Sequence, residues 1–276
     1  MKKYTLISWL IIFFVLSCKK ESNVPVEANP KLKKIKIVND STGIIYHEYN
    51  FTYDPINGQL TKMVRDNTDS VVITQINRNV LKLNFDYPSE YLNTEAYAYI
   101  NSHKYIESID GYFNFKYKDS GEIDSIFEPA VTLAIGMQTY TDYFTDFDIA
   151  SDGNNYIHST TFIKKVYLLP RPPEFITNTR DYYYTSYKNT GCIPLQRIYN
   201  LETNSGWFLD EIDPVYMLNI GGYYAYKPSK NLIDKIVVNS SLGASWEIKL
   251  SYVVNDKNQV TEVHKGSKGY ILTYYE

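Results

Sequence analysis

The side chains able to bind metals, move protons or attack substrates are few and scattered. His47, His103, His158 and His264 show no His-x-His or His-Glu-x-x-His spacing and no cysteine pair lies nearby, so no local zinc site is written into the chain. These rings are expected on solvent-facing strands or turns, and no cofactor is implied. Gly-x-Ser-x-Gly, Walker and Gly-x-Gly-x-x-Gly signatures are absent, which removes the common sequence-local hydrolase and nucleotide-binding readings. Asp146, Asp148 and Asp152-Gly153-Asn154 form an oxygen-rich stretch. Matched to a calcium loop, however, Ala150 falls at position three and Ser159 at position twelve, so a solvated loop after a strand is the better reading. The densest combination is Trp207 and Phe208 followed by Asp210-Glu211-Ile212-Asp213. A glycosidase sets two carboxylates on opposite sides of the scissile bond, which neighbours in sequence rarely achieve. Trp207, Asp210 and Glu211, with Tyr223 and Tyr224, are therefore candidate ligand contacts rather than catalytic groups.

Composition narrows the classes. The 276 residues are 44% hydrophobic and 21% charged, enough apolar material for a packed core. Lys plus Arg is 28 against 31 Asp plus Glu, a balance that offers no field for a nucleic-acid backbone. The 28 tyrosines outnumber the 12 phenylalanines and 3 tryptophans. Runs such as Tyr182-Tyr183-Tyr184 must place rings on both faces of a strand, either as interface anchors or as cross-strand ladders that exploit tyrosine's β propensity.

Lys2 and Lys3 precede an apolar stretch from Leu6 to Leu16 that would rise about 17 Å as a helix, short of a bilayer's ~30 Å. Val15-Leu16-Ser17-Cys18 then resembles the lipobox of bacterial lipoproteins, which implies cleavage after residue 17 and acylation of Cys18. Residues 18–31, with Asn23-Val24-Pro25 and Asn29-Pro30, read as a flexible tether reaching about 40 Å. The expected location is the bacterial outer membrane, with membrane lipid as the partner of the acylated cysteine. Cys192, the second of 2 cysteines, has no partner within the chain.

From residue 32 to 276 the pattern is period two: Ile35 and Ile37; Tyr49, Phe51 and Tyr53; Leu81, Leu83 and Phe85; Phe113, Phe115 and Tyr117; Tyr270, Leu272 and Tyr274. Residues 142–150, which could be scanned as a helix, carry the Thr, Tyr and Phe of a strand. A unit recurs at a spacing of about 65 residues: an aromatic strand end, a short polar turn, then two aliphatics. Its copies are Phe51, Tyr53, Asn57-Gly58, Leu60 and Met63; Phe115, Tyr117, Asp119-Ser120-Gly121, Ile123 and Ile126; Tyr184, Tyr187, Asn189-Thr190-Gly191, Ile193 and Ile198; and Leu250, Tyr252, Asp256-Lys257-Asn258, Val260 and Val263. Gly58, Gly121, Gly191 and Asn258 suit a positive φ. Cys192 matches the polar Gln59, Glu122 and Gln259 of the other copies and is expected to point outward.

Phe51-Thr52-Tyr53-Asp54 through Gly58-Gln59-Leu60 resembles the YD-repeat-like β-hairpin of Bacteroidota lipoproteins of uncharacterised function, a resemblance that implies fold and location but no catalytic residue. The chain thus reads as all-β, repeated antiparallel hairpins in a meander forming one elongated or curled domain behind a lipoprotein signal and tether. Its expected function is a non-enzymatic envelope module that binds a glycan, peptide or envelope protein or serves as a structural spacer. The alternative is a polysaccharide-directed hydrolase with its site near residues 200–214. A shallow aromatic strip would favour binding, and a deep cleft with two carboxylates about 5–10 Å apart would favour hydrolysis. Cys18→Ala should leave the protein unprocessed or released from washed membranes, as fractionation would show; wild-type retention would remove the lipoprotein reading.

Overall fold

The computed structural model describes residues 31–86, 95–102, 105–110, 113–119, 122–127, 131–135, 138–168, 171–189, 218, 221–223 and 229–275. Eighteen strands form one sheet. They are β1 (Leu32–Asn39), β2 (Ile45–Tyr53), β3 (Leu60–Arg65), β4 (Asp69–Asn77), β5 (Val80–Asp86), β6 (Glu95–Ile100), β7 (Ile106–Ile109), β8 (Phe113–Tyr117), β9 (Ile123–Phe127), β10 (Val131–Ile135), β11 (Gln138–Ser151), β12 (Tyr156–Tyr167), β13 (Glu174–Lys188), β14 (Asn231–Ser240), β15 (Ser245–Lys249), β16 (Ser251–Val254), β17 (Val260–Lys265) and β18 (Lys268–Tyr274).

Nearly every strand pairs antiparallel with its sequence neighbour, and the last pairs with the first, from Leu32↔Tyr274 to Asn39↔Lys268. The sheet is therefore a closed ring. β9 and β10 follow one another along β11, and only Leu250 separates β15 from β16. Taken as single staves, these two pairs reduce the eighteen strands to a ring of sixteen among the described residues. The chain enters and leaves at one end, where the Tyr275 N–H donates to the Lys31 carbonyl at 2.9 Å.

Alternation decides what fills the ring. Ile35 and Ile37, Leu81 and Leu83, Ala96 and Ala98, and Phe113 and Phe115 point inward, are buried, and join one continuous apolar cluster. A round tube of this many strands would enclose water; here side chains occupy the interior. Leu218, from the connection between β13 and β14, is fully buried in that cluster. A Cβ at nearby Gly221 would come within 2.9 Å of the Leu60 Cβ, so only glycine lets this segment lie so close to β3. On the outer face Lys34 bridges Glu48 at 2.8 Å, and Lys235 bridges Glu247 at 2.8 Å. At mid-membrane depth each such lysine would cost about 2–4 kcal/mol against lipid, a cost absent where a wall faces water.

The recurrent turns at 54–59, 118–122 and 255–259 close at the end where Lys31 meets Tyr275. The closing bonds match in three copies: Asp54 N–H to Gln59 at 2.7 Å, Lys118 N–H to Glu122 at 2.8 Å and Asn255 N–H to Gln259 at 2.9 Å. Gly58 and Asn258 have φ of 72° and 57°, as their turns require; Gly121, Gly191 and Cys192 lie outside the described residues. One register expectation is corrected. In the fourth copy Val254, not Tyr252, takes the place of Tyr53, because Val254 pairs with Val260 whereas Tyr252 pairs with Val263; a slip of two residues keeps every side chain on its own face, so period two cannot reveal it. In the third copy the strand returning beside Tyr184 is β14, where Ile233 is its partner. β12 pairs with the other edge of β13 from Glu174 to Asp181; Ile193 and Ile198 lie outside the described residues.

Tyrosines finish the same end. The half-buried rings of Tyr53, Tyr184, Tyr252 and Tyr274 donate their hydroxyls to the carbonyls of Leu32, Tyr156, Ile233 and Val260 at 2.9, 2.7, 2.6 and 2.8 Å, and Tyr117 donates to Ile106. Each bond ties the end of one strand to the start of the strand beside it. Burial raises the pKa of Tyr53, Tyr117 and Tyr274 above the ordinary phenol value, which keeps these donors protonated. Five of the 28 tyrosines thus form a seam at one rim.

Candidate functional site

β11, β12 and β13, at 14, 12 and 15 residues, are the longest of the described strands, and on them polar groups are buried beside Ile149, Tyr156, Ile163 and Tyr182. The alternation that elsewhere sends aliphatics inward here sends in Asp142, Asp146, Ser159, Thr161 and Arg180. Asp146, Thr161, Asn178 and Ser240 stand side by side on four neighbouring strands. Thr161 donates to Asp146 and accepts from Arg180; Arg180 lies 3.8 Å from Asp146, and Ser159 bonds the Tyr182 hydroxyl at 2.9 Å. Asp146 and Arg180 are only 5% and 6% exposed, so their mutual compensation is what makes burial of both charges tolerable. Nearer the far end, Asp142 has one carboxylate oxygen without a hydrogen-bond partner. Burial pushes its pKa up, with Lys165 opposing.

The outer face of the same strands carries the aromatics. Phe175, Phe162 and Phe147 occupy successive rungs on β13, β12 and β11 and make a diagonal strip. Phe162 stacks on Phe175 at 5.8 Å and 20°, and Phe175 is 59% exposed. Tyr143 and Tyr183, also exposed, flank the strip with Lys164 and Lys235 over their rings at 5.9 and 5.1 Å. Thr145, Thr177 and Thr179 stand between the rings. At the end of the strip beside Phe147, His158 Nδ1 meets Asp181 at 2.7 Å, and its Nε2 lies 3.4 Å from the Thr160 hydroxyl and 3.8 Å from Asp148.

Sequence reasoning separated these groups. The aspartates expected to share a solvated loop are split by the strand: Asp146 faces in, Asp148 faces out, and Asp152 accepts the N–H groups of Asn154 and Asn155 at 2.8 and 2.7 Å to shape the turn. Of the proposed ligand contacts, Tyr223 is half-buried against the core, its N–H donating to Leu218 at 2.8 Å, and burial raises its pKa. Trp207, Asp210, Glu211, Tyr224, Cys18 and His103 lie outside the described residues. The aromatic strip was missed because Phe147, Phe162 and Phe175 sit 15 and 13 positions apart; only strand register brings them together. The alternation of Thr145, Asp146, Phe147 and Asp148 was its visible trace.

No family model and no curated protein matches the chain. Among solved structures it is similar to a porin-like protein from Bacteroides vulgatus, with 10% identity and a TM-score of 0.44 over 89% of this chain and 99% of that one. A porin-like protein from Bacteroides uniformis gives 10% identity and 0.44 over 90% and 99%.

Histidines elsewhere are held by carboxylates at the end opposite the termini. His47 Nδ1 meets Asp66 at 2.7 Å, and His264 meets Asp40 through Nδ1 at 2.9 Å and Glu262 through Nε2 at 3.0 Å. Donating from both nitrogens requires imidazolium, and the Asp40 bond foremost raises the His264 pKa above 6.5. A raised folded-state pKa gives stability that is fully present below about pH 6.5 and is lost as pH climbs through the folded value. His264→Gln should therefore lower Tm by roughly 1–3 °C near pH 5.5 and by much less near pH 9. Thermal melts across that range would check this; an equal loss at both pH values would contradict it.

Proposed function

We propose that this chain is a lipid-anchored protein of the bacterial outer membrane that holds a glycan chain on the outer face of β11–β13, without catalysing a reaction. The observation that carries the reading is the exposed diagonal of Phe175, Phe162 and Phe147, flat rings set among Thr145, Thr177 and Thr179. Pyranose rings present apolar C–H faces bordered by hydroxyls, and an aromatic strip interleaved with short hydroxyl side chains matches both. A charged ligand fits less well, because Lys164 and Lys235 are balanced by Asp148 and Asp181 around the strip.

The anchor agrees with this display. Acylation at Cys18 would hold the tether to lipid, and the chain enters the ring at Lys31 beside β1 and β18. β12, the middle strand of the strip, lies five staves from β18 around the ring of sixteen, so the strip would stand clear of the attachment.

Native affinity electrophoresis of the full chain in detergent, through gels holding each of a panel of soluble polysaccharides, tests the reading. At least one polysaccharide should retard the wild type, and Phe162→Ala with Phe175→Ala should weaken that retardation roughly tenfold or more, at about 0.5–1.5 kcal/mol per aromatic contact. No retardation by any polysaccharide, or equal retardation of the double variant, would overturn it.

A further inference from the structure

We propose that His158 Nε2 and the Asp148 carboxylate form an open, two-donor site for a divalent first-row transition metal ion such as Zn2+. The inference does not rest on glycan binding. It comes from the way three strands converge on one imidazole.

His158 on β12 sits opposite Asp181 on β13, and the Nδ1–Asp181 contact of 2.7 Å fixes the ring. A carboxylate accepting from Nδ1 selects the tautomer whose Nε2 lone pair is free, and it makes that nitrogen a better metal donor; this is the outer-shell arrangement of metal-bound histidines. On the Nε2 side stands Asp148, with its nearer oxygen at 3.8 Å. That separation is too long for a hydrogen bond. Two donors on one tetrahedral zinc ion, each bonded at about 2.0–2.1 Å, are about 3.3 Å apart, so a small rotation of Asp148, whose side chain is 69% exposed, would bring both onto an ion. The Thr160 hydroxyl, 3.4 Å from Nε2, offers a third oxygen.

Local backbone explains why Asp148 reaches this place. Regular pairing of β11 with β12 is broken between Phe147 and Ala150, and Asp148 adopts φ of 52°. The bulge turns a side chain that would otherwise follow the pleat toward the neighbouring strand. Among the described residues no three His, Cys, Asp or Glu side chains converge on one point. Asp181 is engaged by the opposite ring nitrogen and cannot be a ligand, so solvent or an oxygen of a bound molecule would complete the shell. Imidazole with carboxylate suits zinc, nickel, cobalt or copper better than calcium or magnesium.

The test is calorimetric titration of the full chain in detergent with Zn2+ near pH 7.5, together with Co2+ absorption spectra. One equivalent should bind in the micromolar range, and Co2+ should give visible bands. His158→Gln should abolish both signals. Asp148→Asn, at an exposed position, should weaken binding at least tenfold, and Asp181→Asn should weaken it about 10–100-fold while leaving the stoichiometry unchanged. Absence of sub-millimolar binding by the wild type would overturn the site. So would a stoichiometry unchanged in His158→Gln, which would place the ion on another histidine, or an affinity unchanged in Asp148→Asn.

Discussion

The ladder between β1 and β18 is the constraint on which the rest of this structure depends. It joins residues at the two extremes of the domain, Leu32 with Tyr274 and Asn39 with Lys268, and it leaves the long meander without a free edge. Open edges invite pairing with other chains and bare a row of unsatisfied N–H and C=O groups. Closure also fixes which face of each strand is inside, since a one-residue slip at this seam would turn Ile35, Ile37 and Leu272 outward. The interior apolar cluster, the tyrosine seam at the terminal rim and the charged outer wall all follow from that single choice of face.

The mixed polar and apolar interior of β11–β13 stands out against this background. Placing Asp142, Asp146 and Arg180 inside an apolar ring costs free energy that a row of aliphatics would not, and exposing Phe175, Tyr143 and Tyr183 forgoes burial worth roughly 1.5–3 kcal/mol for a large ring. That two unfavourable placements fall on the same three strands is what the proposed binding face would require. The inner polar row is its consequence: with the rings outside, the pleat delivers the intervening Asp, Thr and Asn residues to the interior, where hydrogen bonds among Asp146, Thr161 and Arg180 limit the cost.

Much of the fold was legible because strands with one buried face write their burial directly as period two: Ile35 and Ile37, Leu81 and Leu83, and Phe113 and Phe115 are all inward. The turn at Asn57-Gly58 was readable for an equally local reason, its φ of 72° at Gly58. Ring closure was not readable, since nothing near Leu32 refers to Tyr274. Ile193 and Ile198, the return strand expected in the third unit, lie outside the described residues, and Tyr184 pairs with Ile233 of β14. The site was the least legible part. On β11 alternation is present, but apolar and charged residues are both plausible inside until the partners of Asp146 are known, and His158 acquires meaning only when register sets Asp181 on one nitrogen and the bulge sets Asp148 on the other.

Hydrogen–deuterium exchange of the full chain in detergent, followed strand by strand, tests the closed and filled ring most directly. If β1 and β18 close the sheet, their ladder amides should be protected to the same degree as those of β4 and β5, which lie well inside the meander. Exchange in β1 and β18 orders of magnitude faster than in β4 and β5, as free edges would show, would contradict the closed ring.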